Sequence, residues 1–165
     1  MSSPTSTQLG AIAENLVANV LMLESSGALS PFVPQADDDG IDLLIYNKES
    51  GKALPAQVKS RTVALKKRGT EERGHVVHFE IRAATYRAER FAAAILVLTN
   101  ESGYGIECAW VVPMRLLPQV ARSAGKKFVI RASKSPTSKD RYTSYRCLST
   151  SELYQKIMVQ LDEAP

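Results

Sequence analysis

Two segments of strand length, separated by a turn-rich stretch, constrain the fold of this chain more than any other feature. Residues 41–46 are apolar apart from one acid, and residues 54–61 have the length of a second strand and carry Gln57 and Lys59 on either side of Val58. Residues 47–52, which lie between them, contain the Asn, Ser and Gly that are typical of turns. The pattern predicts a β-hairpin, in which the polar side chains of the two strands take fixed positions on one sheet.

Three polar side chains should meet on one face of this hairpin. If the turn is centred on residues 49–51, Asp42 lies opposite the stretch 57–59, and directly opposed residues share a face. Gln57 and Lys59 take that face together because side chains alternate along a strand. Burying such groups without partners costs on the order of 2–7 kcal/mol each, and more for a charge. A solvated cleft with a bound cation would remove that cost, and an ion pair between Asp42 and Lys59 is the structural alternative.

An amphipathic helix is predicted before the hairpin. Thr5 and Gln8 have the spacing of a capping box, and apolar residues follow at helical intervals between residues 9 and 23. Glu14 lies at the border of the apolar stripe, and we expect Gly10, one turn earlier, to allow close approach of another group. The alternative for Glu14 is an ordinary acid on the helix surface.

The rest of the chain alternates strand and helix patterns. Extended segments are predicted at 32–34, 75–82, 93–98, 106–112 and 128–132, and helices at 83–91, 113–122 and 150–161. We therefore expect a single α/β domain spanning residues 1–165, with a central mixed β-sheet flanked by α-helices. Phe79 and Trp110 are expected in its core.

Composition narrows the compartment and the class of partner. The chain has 21 Lys and Arg against 17 Asp and Glu, and the net charge of +4 is compatible with a polyanionic partner. Cys108 and Cys147 lack the paired spacing of a zinc site and imply no disulfide framework. No apolar run approaches the roughly 20 residues that span a bilayer, and the N-terminus lacks a signal-peptide pattern. We expect a cytoplasmic protein without a membrane segment.

The polar residues of the hairpin suit the hydrolysis of a phosphodiester. This reaction needs a divalent cation that neutralises the phosphate and lowers the pKa of water. Mg²⁺, or Mn²⁺ in its place, prefers oxygen ligands and keeps several waters, so one or two carboxylates suffice. We predict Asp42 as the principal ligand, beside the side-chain oxygen of Gln57 and the carbonyl of Val58. Lys59 would orient the attacking water or stabilise the transition state, and Glu14 would contribute a further oxygen.

Three short segments, 9–14, 40–44 and 56–60, together resemble the PD-(D/E)XK nuclease superfamily. The chain is most similar to the branch that contains Holliday-junction resolvases and small endonuclease-like bacterial domains. The resemblance implies a restriction-endonuclease-like core, dependence on magnesium, and DNA as the substrate. It thereby implies a DNA endonuclease or a resolvase-like phosphodiesterase.

Carried over residue by residue, the resemblance assigns catalytic roles to Asp42, Gln57, Lys59 and Glu14. Gln57 departs from the family pattern, which has a carboxylate at this position. An amide oxygen still binds a cation but adds no charge, so metal affinity should be lower. Two alternatives follow: a nuclease-fold DNA-binding module that has lost catalysis, and an accessory subunit of a DNA repair or defence complex.

Basic residues cluster in two further places. A loop directly after the hairpin carries Lys66, Lys67, Arg68 and Arg73, which we predict to contact DNA phosphates. A second basic stretch contains Lys126, Lys127, Arg131, Lys134, Lys139, Arg141 and Arg146. Solvated loops are the alternative for both, because Lys and Arg are mostly exposed in any protein. Cleavage of both DNA strands with two-fold symmetry would require a homodimer.

Overall fold

The computed structural model describes residues 3–36, 39–65 and 74–165. In these ranges the helices are α1 (Ser6–Glu24), α2 (Leu117–Val120) and α3 (Thr150–Glu163). The strands are β1 (Leu29–Phe32), β2 (Leu43–Asn47), β3 (Ala53–Arg61), β4 (Val76–Arg82), β5 (Ala93–Thr99), β6 (Ile106–Pro113), β7 (Arg122–Ala124), β8 (Lys127–Ser133) and β9 (Arg146–Cys147). Short 3₁₀ helices occupy Ala83–Thr85, Met114–Leu116 and Thr143–Tyr145. Among the described residues, no helix combines the length and the apolar character that crossing a bilayer requires.

Helix α1 begins where the sequence predicts it. The hydroxyl of Thr5 accepts a hydrogen bond from the Gln8 N–H (3.3 Å), and the Gln8 side chain accepts one from the Thr5 N–H (2.8 Å). The predicted capping box is therefore formed. The helix ends at Glu24, and positive φ angles at Ser26 and Gly27 turn the chain towards β1.

The predicted hairpin lies in a six-stranded mixed sheet with the strand order β1-β2-β3-β5-β6-β9. Strands β2 and β3 pair antiparallel, with Leu43 opposite Ala56, and β3 pairs parallel with β5. The other pairs of this sheet are antiparallel. Every residue of β5 is buried, as expected for a strand that is covered on both faces. The predicted fold class, an α/β fold with a central mixed sheet and flanking helices, is confirmed.

Helices α1 and α3 cover one face of the central sheet. Ala13 and Val17 of α1 and Ile157 of α3 are buried in one cluster with Val58 and Ile95. Because side chains alternate along β3, the neighbours of Val58 in sequence point to the opposite face. The helices thus fix which side of the sheet can carry a polar site.

A second sheet, absent from the sequence-based prediction, covers the opposite face. It is antiparallel, with the strand order β4-β8-β7, whereas residues 75–82 were expected to belong to a single central sheet. Phe79 of β4 is fully buried against Trp110 of β6, with ring centroids 5.7 Å apart and the rings edge to face. The prediction that both aromatic residues lie in the core is confirmed. An apolar face of β5 and β6 that needs covering explains why β4 stacks on the sheet and does not extend it.

Several predicted boundaries are wrong. Residues 83–91 form one 3₁₀ turn, Ala83–Thr85, which ends because the backbone of Tyr86 is extended, and the Arg87 side chain donates to the carbonyls of Ala84 and Tyr86. Pro113 is the last residue of β6 and the N-cap of the 3₁₀ helix Met114–Leu116, which runs into the four-residue α2, so the helix predicted at 113–122 is shorter than expected. The edge strand β1 precedes the predicted extended segment 32–34.

Candidate active site

Asp42 is fixed at the junction of β2 and β3. It comes directly before β2, and its backbone N–H donates to the carbonyl of Ala56 (2.9 Å). Its Oδ2 accepts a hydrogen bond from the backbone N–H of Val58 (2.7 Å). Since the N–H and C=O of one strand residue point to the same side, the carbonyl of Val58 also points towards Asp42. A carboxylate and a backbone carbonyl oxygen therefore lie side by side at this end of β2.

Gln57 places a buried, unsatisfied oxygen beside them. The residue is 3% exposed, and its Oε1 has no hydrogen-bond partner among the described residues. Leaving a buried acceptor unpaired costs about 1–3 kcal/mol. A native fold can retain an unpaired buried acceptor where a bound ligand satisfies it. This atom is therefore a candidate ligand for a cation.

Gly40 allows the chain to pass close to Gln57. Its φ of +68° lies in the left-handed region that glycine tolerates. A Cβ atom at this position would lie 2.6 Å from the Cβ of Thr85 and 2.9 Å from Nε2 of Gln57. No side chain larger than that of glycine fits, so the backbone just before Asp42 is packed directly on the amide.

These groups border a pocket of about 500 Å³ between the central sheet and the second sheet. Its lining consists of Gly40, Asp42, Gln57, Lys59, Arg61, Glu80, Arg82, Thr85 and Lys127. The structure thus brings together the three polar residues that the hairpin pattern placed on one face. Their catalytic roles stay predictions.

Six of these nine lining residues were not predicted as part of the site. Arg61 follows Lys59 on the same face of β3, and this alternation is a signal that the sequence does contain. Glu80 and Arg82 come from β4, and Lys127 of the second basic stretch comes from β8. They reach the pocket through the second sheet, which no local pattern reveals.

Glu80 is the second carboxylate of the pocket lining. Its Oε2 accepts a hydrogen bond from Lys127, and its Oε1 lies 3.3 Å from Nε2 of His78. The Lys127 ammonium, and after it the His78 ring, holds the pKa of this carboxyl below its ordinary value. Glu80 is thus ionised and paired with a cation.

Glu14 does not line this pocket in the described part of the chain. It lies half-buried on α1, next to Ala13, which packs on the face of the sheet opposite to Gln57. Among the described residues, a Cβ at Gly10 would meet no atom within 4 Å, so the expectation that Gly10 admits a close neighbour finds no support there. The role of Glu14 as a further oxygen donor stays a prediction.

The donor set fits a hard divalent cation with few protein ligands. The described residues contain no group of three His, Cys, Asp or Glu that could hold a metal. Mg²⁺ does not need such a group, because it keeps several waters and accepts one carboxylate with neutral oxygens. Asp42, the orphaned Oε1 of Gln57 and the Val58 carbonyl supply that combination.

The structure describes the second basic stretch but not the basic residues of the first. Lys66, Lys67, Arg68 and Arg73 lie outside the described residues, so their predicted contact with DNA stays a prediction. In the second stretch, the buried guanidinium of Arg146 donates to the carbonyls of Ser133, Pro136 and Ser138 at 3.1–3.2 Å. The prediction that Arg146 is one of the solvated cations of this stretch is therefore wrong. Its side chain instead holds the 133–138 loop together.

Comparisons with known proteins support the fold. No protein-family model and no curated protein matches the chain. The solved structure of a bacterial homing endonuclease, I-Ssp6803I, is similar with a TM-score of 0.63 and 20% sequence identity, covering 98% of this chain and 96% of that one. The Holliday junction resolvase Hjc of Archaeoglobus fulgidus matches with a TM-score of 0.43 and 14% identity, covering 82% of this chain and 96% of that one. At 20% identity the likeness to the homing endonuclease concerns the fold alone.

Proposed function

The chain has a PD-(D/E)XK-type nuclease fold, and on this premise we propose that it is a magnesium-dependent DNA endonuclease or resolvase-like phosphodiesterase. The observation that carries the proposal is the unpaired Oε1 of Gln57, buried beside a carboxylate that a neighbouring strand holds in place. A protein that used this cleft for structure alone would gain by replacing the amide with an apolar side chain. The buried and unpaired thiols agree with a reducing cytoplasm.

The mechanism assigns one task to each group. Asp42, Gln57 and the Val58 carbonyl would hold the cation, which would supply charge neutralisation and a water of lowered pKa. The ammonium of Lys59 lies on the same face of β3 as Gln57, where it stabilises the charge that develops on the phosphate oxygens. Arg61 lines the same pocket and can hold a neighbouring phosphate.

The second candidate function is that of a nuclease-fold protein that has lost catalysis, and the presence of Gln57 favours it. With an amide in place of a carboxylate, the site has one charged ligand in Asp42, unless Glu14 also reaches the cation. A nuclease-fold module that binds DNA without cleaving it would then show no metal binding in calorimetry. Its DNA affinity would persist and would fall steeply with salt.

A cleavage assay tests the proposal. Wild type, Asp42→Ala and Lys59→Ala are incubated with linear duplex and with four-way-junction DNA in Mg²⁺ or Mn²⁺. Asp162→Ala and Lys48→Ala, at exposed positions outside the pocket lining, are the matched controls. We expect cleavage by wild type and both controls, and at least a hundredfold slower cleavage by the two site variants. Equal rates for all five proteins would refute the proposed site.

Two further parts of the proposal need their own measurements. Glu14→Gln should lower cleavage and metal affinity if Glu14 supplies an oxygen, and unchanged values would remove it from the site without affecting the assignment of Asp42. A homodimer would give two-fold double-strand cleavage. Sedimentation of the protein on a two-fold-symmetric duplex should then show two copies per DNA.

A further inference from the structure

The outward surface of the second sheet is basic. Along β4 and β8 one set of side chains fills the core, and the other set faces solvent. In the outward set His78 is paired with Arg131, Arg82 is paired with Lys127, and Arg122 of β7 follows on the far edge. We call this surface the basic sheet face; it is formed by His78, Glu80, Arg82, Arg122, Lys127 and Arg131.

One guanidinium on this face is held by neighbouring side chains. The Nε of Arg131 donates to Nδ1 of His78 (3.3 Å), so Nδ1 carries no proton and Nε2 bears the proton that faces Glu80 Oε1 (3.3 Å). Glu80 is in turn bound by Lys127. Because the bond uses Nε, the two terminal amino groups of Arg131 can make a bidentate contact elsewhere. A fixed guanidinium loses less conformational entropy on binding than a free one.

The dimensions of the face match one partner. Strands β4 and β8 form a seven-residue ladder of about 23 Å, with neighbouring strands about 4.8 Å apart. The major groove of B-DNA is about 12 Å wide and admits a two-stranded β-ribbon. The ladder has cations where the groove walls carry phosphates, and its one acid is neutralised by Lys127. Charge and width therefore favour duplex DNA over a single strand.

The face is continuous with the pocket of the candidate active site. Glu80, Arg82 and Lys127 belong to the basic sheet face and also line the pocket beside Lys59. Arg131 lies four residues beyond Lys127 along β8, a distance of about 14 Å. That distance is the rise of about four base pairs. A duplex whose phosphate enters the pocket would thus run along the sheet.

We propose that the basic sheet face docks in the major groove of the substrate duplex, where Arg131 reads a guanine about four base pairs from the cleaved bond. Arg82 and Lys127, at the edge of the pocket, contact the phosphates next to the cleaved bond. The inference rests on the proposed function, because it takes DNA as the substrate. It adds the surface that selects the sequence, and the residue that does so.

The test selects bound sequences from a randomised duplex in Ca²⁺ without cleavage. Wild type should enrich a guanine-containing site. Arg131→Ala should lose about 5- to 150-fold of the preference for that guanine over other bases. Arg131→Lys keeps the charge and loses the bidentate geometry, so it should lose the preference while its affinity for random duplex stays near that of wild type.

Phosphate contacts are separated from base contacts by their salt dependence. Lys127→Ala should weaken binding to all sequences alike and reduce the slope of log K against log salt by about 0.9. Lys48→Ala, at an exposed position in the turn between β2 and β3 and off the sheet face, should leave slope and preference unchanged. An unchanged preference in Arg131→Ala, with DNA still bound and cleaved, would overturn the inference and leave the proposed function intact. Absence of DNA binding by wild type would overturn both.

Discussion

The carboxylate of Asp42 is held to the neighbouring strand by a 2.7 Å hydrogen bond from the backbone N–H of Val58. Because the donor belongs to the backbone of β3, the carboxylate keeps its position relative to Gln57 and Lys59 on the same strand. Side-chain rotation at other residues does not move it. The site is thus preorganised by the pairing of β2 with β3, and cation ligands need little rearrangement.

Replacing Asp42 separates its structural role from its chemical role. Asp42→Asn keeps an oxygen that can accept the Val58 N–H, whereas Asp42→Ala leaves that N–H unpaired. We expect Asp42→Ala to lower the free energy of unfolding by about 1–3 kcal/mol and Asp42→Asn to lower it by less. Both should lose Mn²⁺ binding in calorimetry and cleavage activity. Wild-type cleavage by Asp42→Asn would show that the charge is not needed.

Gln57→Glu should strengthen the cation site and weaken the empty fold. The new carboxylate adds a second charge to the ligand set, so Mg²⁺ should bind more tightly than to wild type. Without metal, a buried carboxylate near Asp42 lowers stability. At a Mg²⁺ concentration of 100 times Kd, metal binding should raise the free energy of unfolding by about 2.7 kcal/mol. Urea unfolding with EDTA and with Mg²⁺ measures both effects.

Gln57→Leu is the matched control for this prediction. It removes the unpaired oxygen and keeps a similar volume, so its stability in EDTA should equal or exceed that of wild type. Added Mg²⁺ should not stabilise it. If Mg²⁺ stabilises Gln57→Leu as much as Gln57→Glu, position 57 is not a ligand.

The hairpin and its polar face could be predicted from sequence because both depend on local rules. A turn-rich stretch fixes the register of β2 against β3, and alternation then places Gln57 and Lys59 on one face with Asp42 beside them. The eighteen-residue span from Asp42 to Lys59 suffices for this argument. No information from distant parts of the chain is required.

The second sheet could not be predicted in the same way. Strand β4 pairs with β8, and the opposed residues Arg82 and Lys127 are 45 positions apart in the sequence. An alternating strand looks the same whether it extends one sheet or stacks on it, since both arrangements bury one face. The contributions of Glu80, Arg82 and Lys127 to the pocket depend on that choice. These three residues of the site therefore could not be predicted from the sequence alone.

Substitution of Gly40 should lower stability for two reasons, backbone strain and a steric contact. The matched position Gly51 separates the two. Gly51 has a similar positive φ (73°), but a Cβ there would meet no atom within 4 Å. We expect Gly51→Ala to cost about 1–2 kcal/mol of stability from backbone strain alone. Gly40→Ala should cost more, because its Cβ would lie 2.6 Å from that of Thr85, and it should also lower cleavage. Equal thermal shifts for the two variants would contradict the contact.

Arg146 should be a structural residue in spite of its charge. It is buried, and its guanidinium donates to the carbonyls of Ser133, Pro136 and Ser138. Arg146→Met should lower the free energy of unfolding by about 1–3 kcal/mol, because one buried and two partly buried hydrogen bonds lose their donor. Arg122→Ala, on an exposed strand, should change it by less than about 0.5 kcal/mol. Urea denaturation of both variants measures these changes in the free energy of unfolding.

Stability should fall at alkaline pH because two thiols are buried. Burial raises the pKa of Cys108 and of Cys147 from 9.0 to about 12. A folded-state pKa above the unfolded one means that the folded protein holds its protons longer. The stabilisation is fully present below pH 9 and is lost as the pH rises towards 12. Each thiol can contribute a slope of at most about 1.4 kcal/mol per pH unit in that window.

Unfolding free energies measured at intervals from pH 8 to pH 11 would test this slope. Lysine and tyrosine side chains titrate in the same range, so the comparison is with Cys108→Ala, Cys147→Ala and the double variant. Each alanine leaves a small cavity and lowers stability at pH 8, but that loss does not depend on pH. The double variant should therefore lose less stability than wild type between pH 9 and 11. Parallel curves for the two proteins would show that the thiols titrate alike in the folded and unfolded states.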